Sequence, residues 1–245
     1  MTLPTIETPT YTLSLPSSGD TIEYRPFLMK EEKILLMAVE GNSEKESVKA
    51  LKQVLKNCVL TDININELPL FDLEYIFIHL RSKSVGEKIE LQFNCNNTDC
   101  NHTNNIKVDL TNIEILRNKN HNNKIELTPT VGLFMKYPSF NSFINNFALQ
   151  KSINTNNFFD LLIDCIDSIY DETQVYSHKD ITRQELVMFV EKLTQEQSQK
   201  IKVFFDTMPK IQKDLTFVCK KCEHENKILL ENFSDFFGVD SLMSP

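Results

Sequence analysis

The stretches FNCNNTDCNHTNNIKV, residues 93–108, and FVCKKCEHENKILL, residues 217–230, share one layout. In each, a phenylalanine stands two positions before a first cysteine. A second cysteine follows, and then histidine, asparagine and isoleucine come two, four and six residues after it: His102, Asn104 and Ile106 in one copy, His224, Asn226 and Ile228 in the other. Each copy reads as strand, cysteine turn, strand. A turn of this kind aims two thiolates at one point, and a tetrahedral metal needs four ligands. The two copies together supply Cys95, Cys100, Cys219 and Cys222. The expected site is therefore a four-cysteine structural zinc (Zn2+) built from paired zinc knuckles, with a closed shell that leaves no position for a catalytic water. The C-x4-C spacing of the first copy is looser than the C-x2-C of the second. Four alternatives stay open on the residues alone. They are a disulfide within each pair, a redox Cys-x-x-Cys, which normally opens a helix, free thiols without a special role, and a histidine in place of a cysteine.

Outward from the cysteines, the pattern alternates between strand and helix periods. YTLSLPSSGDTIEYRP, residues 11–26, reads as a hairpin with Tyr11, Leu13 and Leu15 facing Ile22 and Tyr24. MKEEKILLMAVE has apolar residues at helical spacing and two glutamates in its first turn, with Gly41 as a stop. A second helix runs through Val48, Leu51, Val54 and Leu55, with Asn42 or Ser43 as its cap. A third covers about residues 70–81. EKIELQFNC alternates as a strand. Further on, KIELT and VGLFMKYP read as strands, SFNSFINNFALQKS and NNFFDLLIDCIDSI as helices. Thr182-Arg-Gln-Glu185 and Thr194-Gln-Glu-Gln197 each match the capping box and predict helices over 182–193 and 195–207. The fold class is α+β: a small sheet and hairpin base carrying the paired knuckles, with a largely helical insertion. The base is residues 1–110 together with 210–245, and the insertion is 111–209.

The 245-residue chain carries a formal charge of −8 and only five glycines. Phosphate-backbone binding needs clustered Lys and Arg, so no nucleic-acid partner is expected, and a zinc-ribbon nucleic-acid binder is the less favoured alternative. No stretch reaches the ~20 apolar residues of a membrane span, and no membrane anchor is expected. The first residues lack a signal-peptide core, which reads as a protein that stays in the cytoplasm where it is made. Glycine-rich phosphate loops, G-x-S-x-G and H-E-x-x-H are all missing, and no catalytic residues are assigned. Cys58 and Cys165 sit on apolar helical faces and read as core. Asp160, Asp164 and Asp167 fall on one predicted helical face and read as solvated. His79 reads as a core or interface histidine. Phe233, Phe236, Phe237, Leu242 and Met243 make a short apolar face near the C-terminus.

RPFLMKEEKIL, Arg25 to Leu35, and EYIFIHLRSKSVGE, Glu74 to Glu87, resemble the baseplate hub proteins of T4-like contractile-tailed bacteriophages. In that family an N-terminal hairpin, an Arg-Pro-Phe helix and a Lys-Ser-Val-Gly-Glu segment lead into cysteines. The resemblance implies a structural component of the baseplate hub or tail tip, located in the virion tail baseplate and assembled in the host cytoplasm. It implies other hub and tail proteins as partners, several copies around the tail axis, and no enzymatic activity. The alternative within the same setting is an assembly factor that leaves before the virion matures.

Overall fold

The computed structural model describes residues 6–41, 44–143 and 155–231. The chain divides into two compact units. The first comprises residues 1–65, 71–116 and 210–245, and the second residues 66–70 and 117–209. Together the described residues mix helices with small antiparallel sheets, so the class is α+β.

The first unit opens with the expected hairpin. Strand β1 (Tyr11–Ser14) pairs antiparallel with β2 (Thr21–Tyr24), with Leu13 opposite Ile22 and Tyr11 opposite Tyr24. Its connection closes where the amide of Gly19, at φ +80, donates to the Leu15 carbonyl, a backbone angle that favours glycine. Helix α1 (Met29–Glu40) follows, then α2 (Glu44–Cys58); the cap expected at Asn42 or Ser43 lies outside the described residues. The end of α2 is tied to β2 by Arg25 N–H donating to the Cys58 carbonyl and Leu60 N–H to that of Glu23.

The segments that carry the family resemblance prove to be fold determinants. Glu31 is fully buried in the first turn of α1. Its carboxylate accepts from Arg25 Nη2 at 3.0 Å, from the Leu28 amide at 2.9 Å and from Asn57 Nδ2 at 3.3 Å. A buried carboxylate is tolerated only when it is paired and hydrogen-bonded. Burial alone would raise the Glu31 pKa, yet the Arg25 and Leu28 bonds bring it below the ordinary value. Helix α3 (Leu70–Ser84) buries most of its surface, including Leu73, Ile76, Phe77, Ile78 and Leu80. At its start the buried Asp72 accepts from both the amide and the hydroxyl of Ser17. At its end Ser84 Oγ accepts from the Phe27 amide. Gly86 follows at φ +147.

Two hairpins complete this unit. Strands β3 (Lys88–Asn94) and β4 (Thr103–Asp109) pair in register from Lys88–Asp109 to Asn94–Thr103. Strands β10 (Lys210–Val218) and β11 (Glu225–Leu230) pair likewise, and β5 (Glu114–Leu116) joins the other edge of β10. Strand β5 is absent from the sequence-based expectations, because three residues carry too little periodicity to register.

The second unit holds the antiparallel sheet β6-β7-β8-β9: Lys124–Glu126, Gly132–Met135, Ile166–Tyr170 and Val175–Ser177. A Cβ at Gly132 would collide with the Tyr170 ring and the Ile125 carbonyl, so this strand position accepts only glycine. The helices are α4 (Phe140–Phe143), α5 (Thr155–Asp164), α6 (Arg183–Glu191) and α7 (Gln195–Thr207). Leu133, Ile166, Leu186, Ile201 and Phe204 lie at the centre of its core. Both capping boxes form as expected, around Thr182 and Thr194. One expectation is corrected. NNFFDLLIDCIDSI is not one helix: α5 ends at Asp164, and Ile166–Tyr170 become a strand paired to β7, with the Lys136 amide donating to the Cys165 carbonyl. Its apolar spacing fits both periods, and the partner strand decides. Asp167 consequently leaves the helical face. Asp160 and Asp164 remain on it, each 2.6 Å from the guanidinium of Arg183. The apolar face at Phe233–Met243 lies outside the described residues.

Candidate metal centre

The turn between β3 and β4 and the turn between β10 and β11 meet at their cysteines. Cys95 Sγ lies 3.6 Å from Cys222 Sγ, and Cys100 Sγ lies 3.8 Å from Cys219 Sγ. All four sulfurs are within 4.8 Å of one another. A regular tetrahedron with zinc–sulfur bonds of about 2.3 Å has sulfur–sulfur edges of about 3.8 Å. The two cross-turn pairs have the length of that edge. All six cysteines are free, so the disulfide within each pair is not formed. Both of the close sulfur pairs above join different turns. Cys58 and Cys165 are buried in the core as expected, Cys165 from just beyond the end of α5.

Local backbone geometry explains why each turn can do this. Cys95 N–H donates to the His102 carbonyl and Cys219 N–H to the His224 carbonyl, both at 2.9 Å, closing each hairpin one step beyond its strands. The residue after the second cysteine is left-handed in both turns, Asn101 at φ 45 and Glu223 at φ 59. The longer first turn absorbs its two extra residues locally. There the carbonyl of Asn97 accepts from Cys100 and Asn101, the part that Cys219 itself plays for Glu223 in the shorter turn. The Asp99 amide donates to Asn97 Oδ1 at 3.1 Å. Neither histidine ring joins the cluster; each histidine contributes through its carbonyl.

Donors surround the sulfurs. Burial opposes ionisation of Cys219, but the amides of Lys221 and Cys222 and the side-chain amide of Asn104 outweigh it and bring the thiol to about 6. These donors favour the thiolate of Cys219, the form that binds metal. Burial pushes Cys95 the other way. Four soft sulfur donors fit zinc or iron rather than hard cations, and with all four bound to one ion no position would be left for substrate. The cluster can hold a metal ion; it has no feature of a hydrolytic site.

Asn104 and Asn226 were visible in the sequence only as part of the repeat. Both are buried. Asn104 Oδ1 accepts from the Lys220 amide at 3.0 Å, and Asn226 Oδ1 accepts from the Asn96 amide at 2.7 Å. Each also donates to the histidine carbonyl of its own turn, at 3.0 and 2.9 Å. Phe93 and Phe217 stack with ring centroids 6.2 Å apart. Every recurring polar position thus has an equivalent partner in the other copy, and the two turns are related by an approximate two-fold exchange.

Elsewhere, the capping-box glutamate Glu185 is held below its ordinary pKa by bonds from the hydroxyl and amide of Thr182. His79 has its pKa lowered by burial and packs edge-on against Tyr75 at 4.4 Å. His121 stacks on Tyr137 and hydrogen-bonds Thr207 through Nδ1 at 3.0 Å.

In comparison with known proteins, the family described as T4 bacteriophage base plate protein matches residues 8–238, most of the chain. No curated protein and no solved structure matches it.

Proposed function

This chain belongs to the T4 bacteriophage base plate protein family, and we propose that within the phage tail base plate it is a structural component of the hub or tail tip. The family match over residues 8–238 carries this reading. Its partners are other base plate proteins, and its role is contact rather than catalysis. Met29, Leu36 and Met37 stand exposed on α1, seven and eight positions apart, and support a protein-binding face on that helix. The charge of −8 disfavours nucleic acid. Among the described residues no helix is long and apolar enough to cross a membrane.

Cys95, Cys100, Cys219 and Cys222 would hold one structural zinc in this reading. The convergence of their four sulfurs supports it, and so do the N–H donors around Cys219. The metal supplies a rigid cross-link between segments 119 positions apart in the chain. The same proposal takes residues 1–110 and 210–245 as the base and 111–209 as an insertion. A component on a tail axis occurs in a few symmetric copies, with interfaces on the order of 800 Å² per partner.

Quantitative proteomics of washed virions, together with disruption of the gene, tests the role. The expected result is intact heads, tails that stop before base plate completion, and a few copies of this protein per wild-type particle. Failure of tails combined with its absence from virions would overturn the component reading in favour of an assembly factor that departs. Metal analysis of the purified protein should return about one zinc per chain.

A further inference from the structure

We propose that Asn104 and Asn226 are positioning residues that clasp the two cysteine turns together and prebuild the four-sulfur site. The metal part of this inference rests on the reading of the cluster as a metal site; the clasp itself does not.

Cysteine ligation does not demand an asparagine four residues after the second cysteine of each turn. Cys219 takes its backbone N–H donors from its own turn, from Lys221 and Cys222. The two asparagines make a different kind of bond. Each carboxamide uses its donor end within its own turn and its acceptor end on the other. Asn104 Nδ2 donates to His102 of its own turn, while Oδ1 accepts from Lys220, 116 positions away. Asn226 Nδ2 donates to His224, while Oδ1 accepts from Asn96, 130 positions away. In both cases the captured amide belongs to the residue just after the first cysteine of the opposite turn. Fixing that amide fixes the direction in which the cysteine before it projects.

Asn104 adds a third contact, Nδ2 to Cys219 Sγ at 3.6 Å. The carboxamide thus touches the backbone of both turns and one of the sulfurs. Only a side chain with a donor and an acceptor on one short planar group can do this. Aspartate keeps the acceptor but loses the donor and brings a charge beside the thiolates. Alanine leaves a cross-turn amide without its partner, and a buried polar group left unsatisfied is costly. The recurring histidines have no such constraint, because only their carbonyls are used. The repeat therefore contains two kinds of polar residue that look alike in sequence, and the geometry separates them.

The test measures residue-specific amide hydrogen exchange and cobalt(II) binding on the full chain. In the metal-free wild type, the Asn96 and Lys220 amides should exchange slowly. Asn226→Ala should speed exchange at Asn96, and Asn104→Ala at Lys220, each by about tenfold or more, the effect of losing one buried hydrogen bond. This crossed pattern distinguishes a clasp from general loosening. Asn104→Asp should keep Lys220 protected yet weaken cobalt retention against a chelator and shift the thiolate-to-cobalt absorption. His102→Ala and His224→Ala should leave both readouts unchanged. Unaltered exchange at Lys220 and Asn96 in the two alanine variants overturns the clasp. Cobalt retention equal to wild type in all asparagine variants overturns its positioning role. A wild type that takes up no cobalt removes the metal reading, and the exchange pattern still decides the clasp.

Discussion

The cysteine turns and the helix pair α6–α7 solve one problem at opposite ranges of sequence. Both must satisfy backbone N–H groups where regular structure stops. At Thr182 and Thr194 the partner lies three residues on: the side chain accepts from Glu185 or Gln197, and that residue returns a bond to the cap. At Asn104 and Asn226 the partner lies 116 or 130 residues away. A cap forms as soon as its own helix forms. A clasp forms only when two remote hairpins have already met, so it carries the entropy of closing a long loop. The first kind of motif reports local structure, and the second reports the fold.

Breaking the cross-link at the cysteine turns should have the largest effect. Tying together residues 119 positions apart is worth about 4–5 kcal/mol by chain-entropy arguments. Chelation of the proposed metal, or Cys219→Ser, should lower stability by about that amount. Hydrogen exchange should rise in β3, β4, β10 and β11 and not in α6. Full protection of those strands after complete metal removal would show that the cross-link adds nothing.

Breaking a cap should cost less and stay local. Thr182→Ala should lower stability by about 1 kcal/mol, with faster exchange confined to the first turn of α6. Denaturant melts with site-resolved exchange measure both quantities. An effect reaching β10 or β11 would contradict the local character assigned to the cap.

Acid separates the two motifs. Glu185 has its folded pKa lowered from 4.5 by the Thr182 hydroxyl and amide. Its contribution is therefore complete above about 4.5 and is lost as pH falls through the lowered value. Metal-binding thiolates take up protons on release, so acid would remove the proposed metal as well. Thr182→Ala should flatten the acid limb of α6 stability in a pH titration followed by exchange, and leave the pH of metal release unmoved.

The smallest expected change is a gain. Glu223 holds φ 59 in the second turn, a left-handed angle that costs a residue with a Cβ about 1–2 kcal/mol. Glycine removes that cost but loses chain entropy on folding, so Glu223→Gly should stabilise by about 0.5 kcal/mol. A melt of the metal-loaded protein checks this, and destabilisation would mean that the Glu223 side chain contributes contacts of its own.

Much of this molecule was legible because the relevant signals are short-range. The hairpin register of Leu13 on Ile22, the helices α1 and α3, and both capping boxes follow from alternation, helical spacing and cap chemistry within a few residues. The shared phenylalanine, cysteine, histidine and asparagine positions identified two equivalent turns. They could not say which histidine or asparagine atoms were used, because that depends on groups more than a hundred residues away.

The α5–β8 boundary shows the same limit from another side. Apolar residues from Phe158 to Ile169 satisfy a helix as well as a strand, and the local pattern favoured the helix throughout. Pairing of Ile166–Tyr170 with β7 overrides that preference, because a strand's backbone hydrogen bonds are made to a partner outside the segment. The sequence by itself determined the α+β class, the two equivalent cysteine turns and the caps, all of which rest on local chemistry. Only the tertiary structure decided where α5 stops, that Asp160 and Asp164 face Arg183, and that each asparagine reaches into the opposite turn. Those contacts exist between segments that local rules leave independent, and packing is what brings them together.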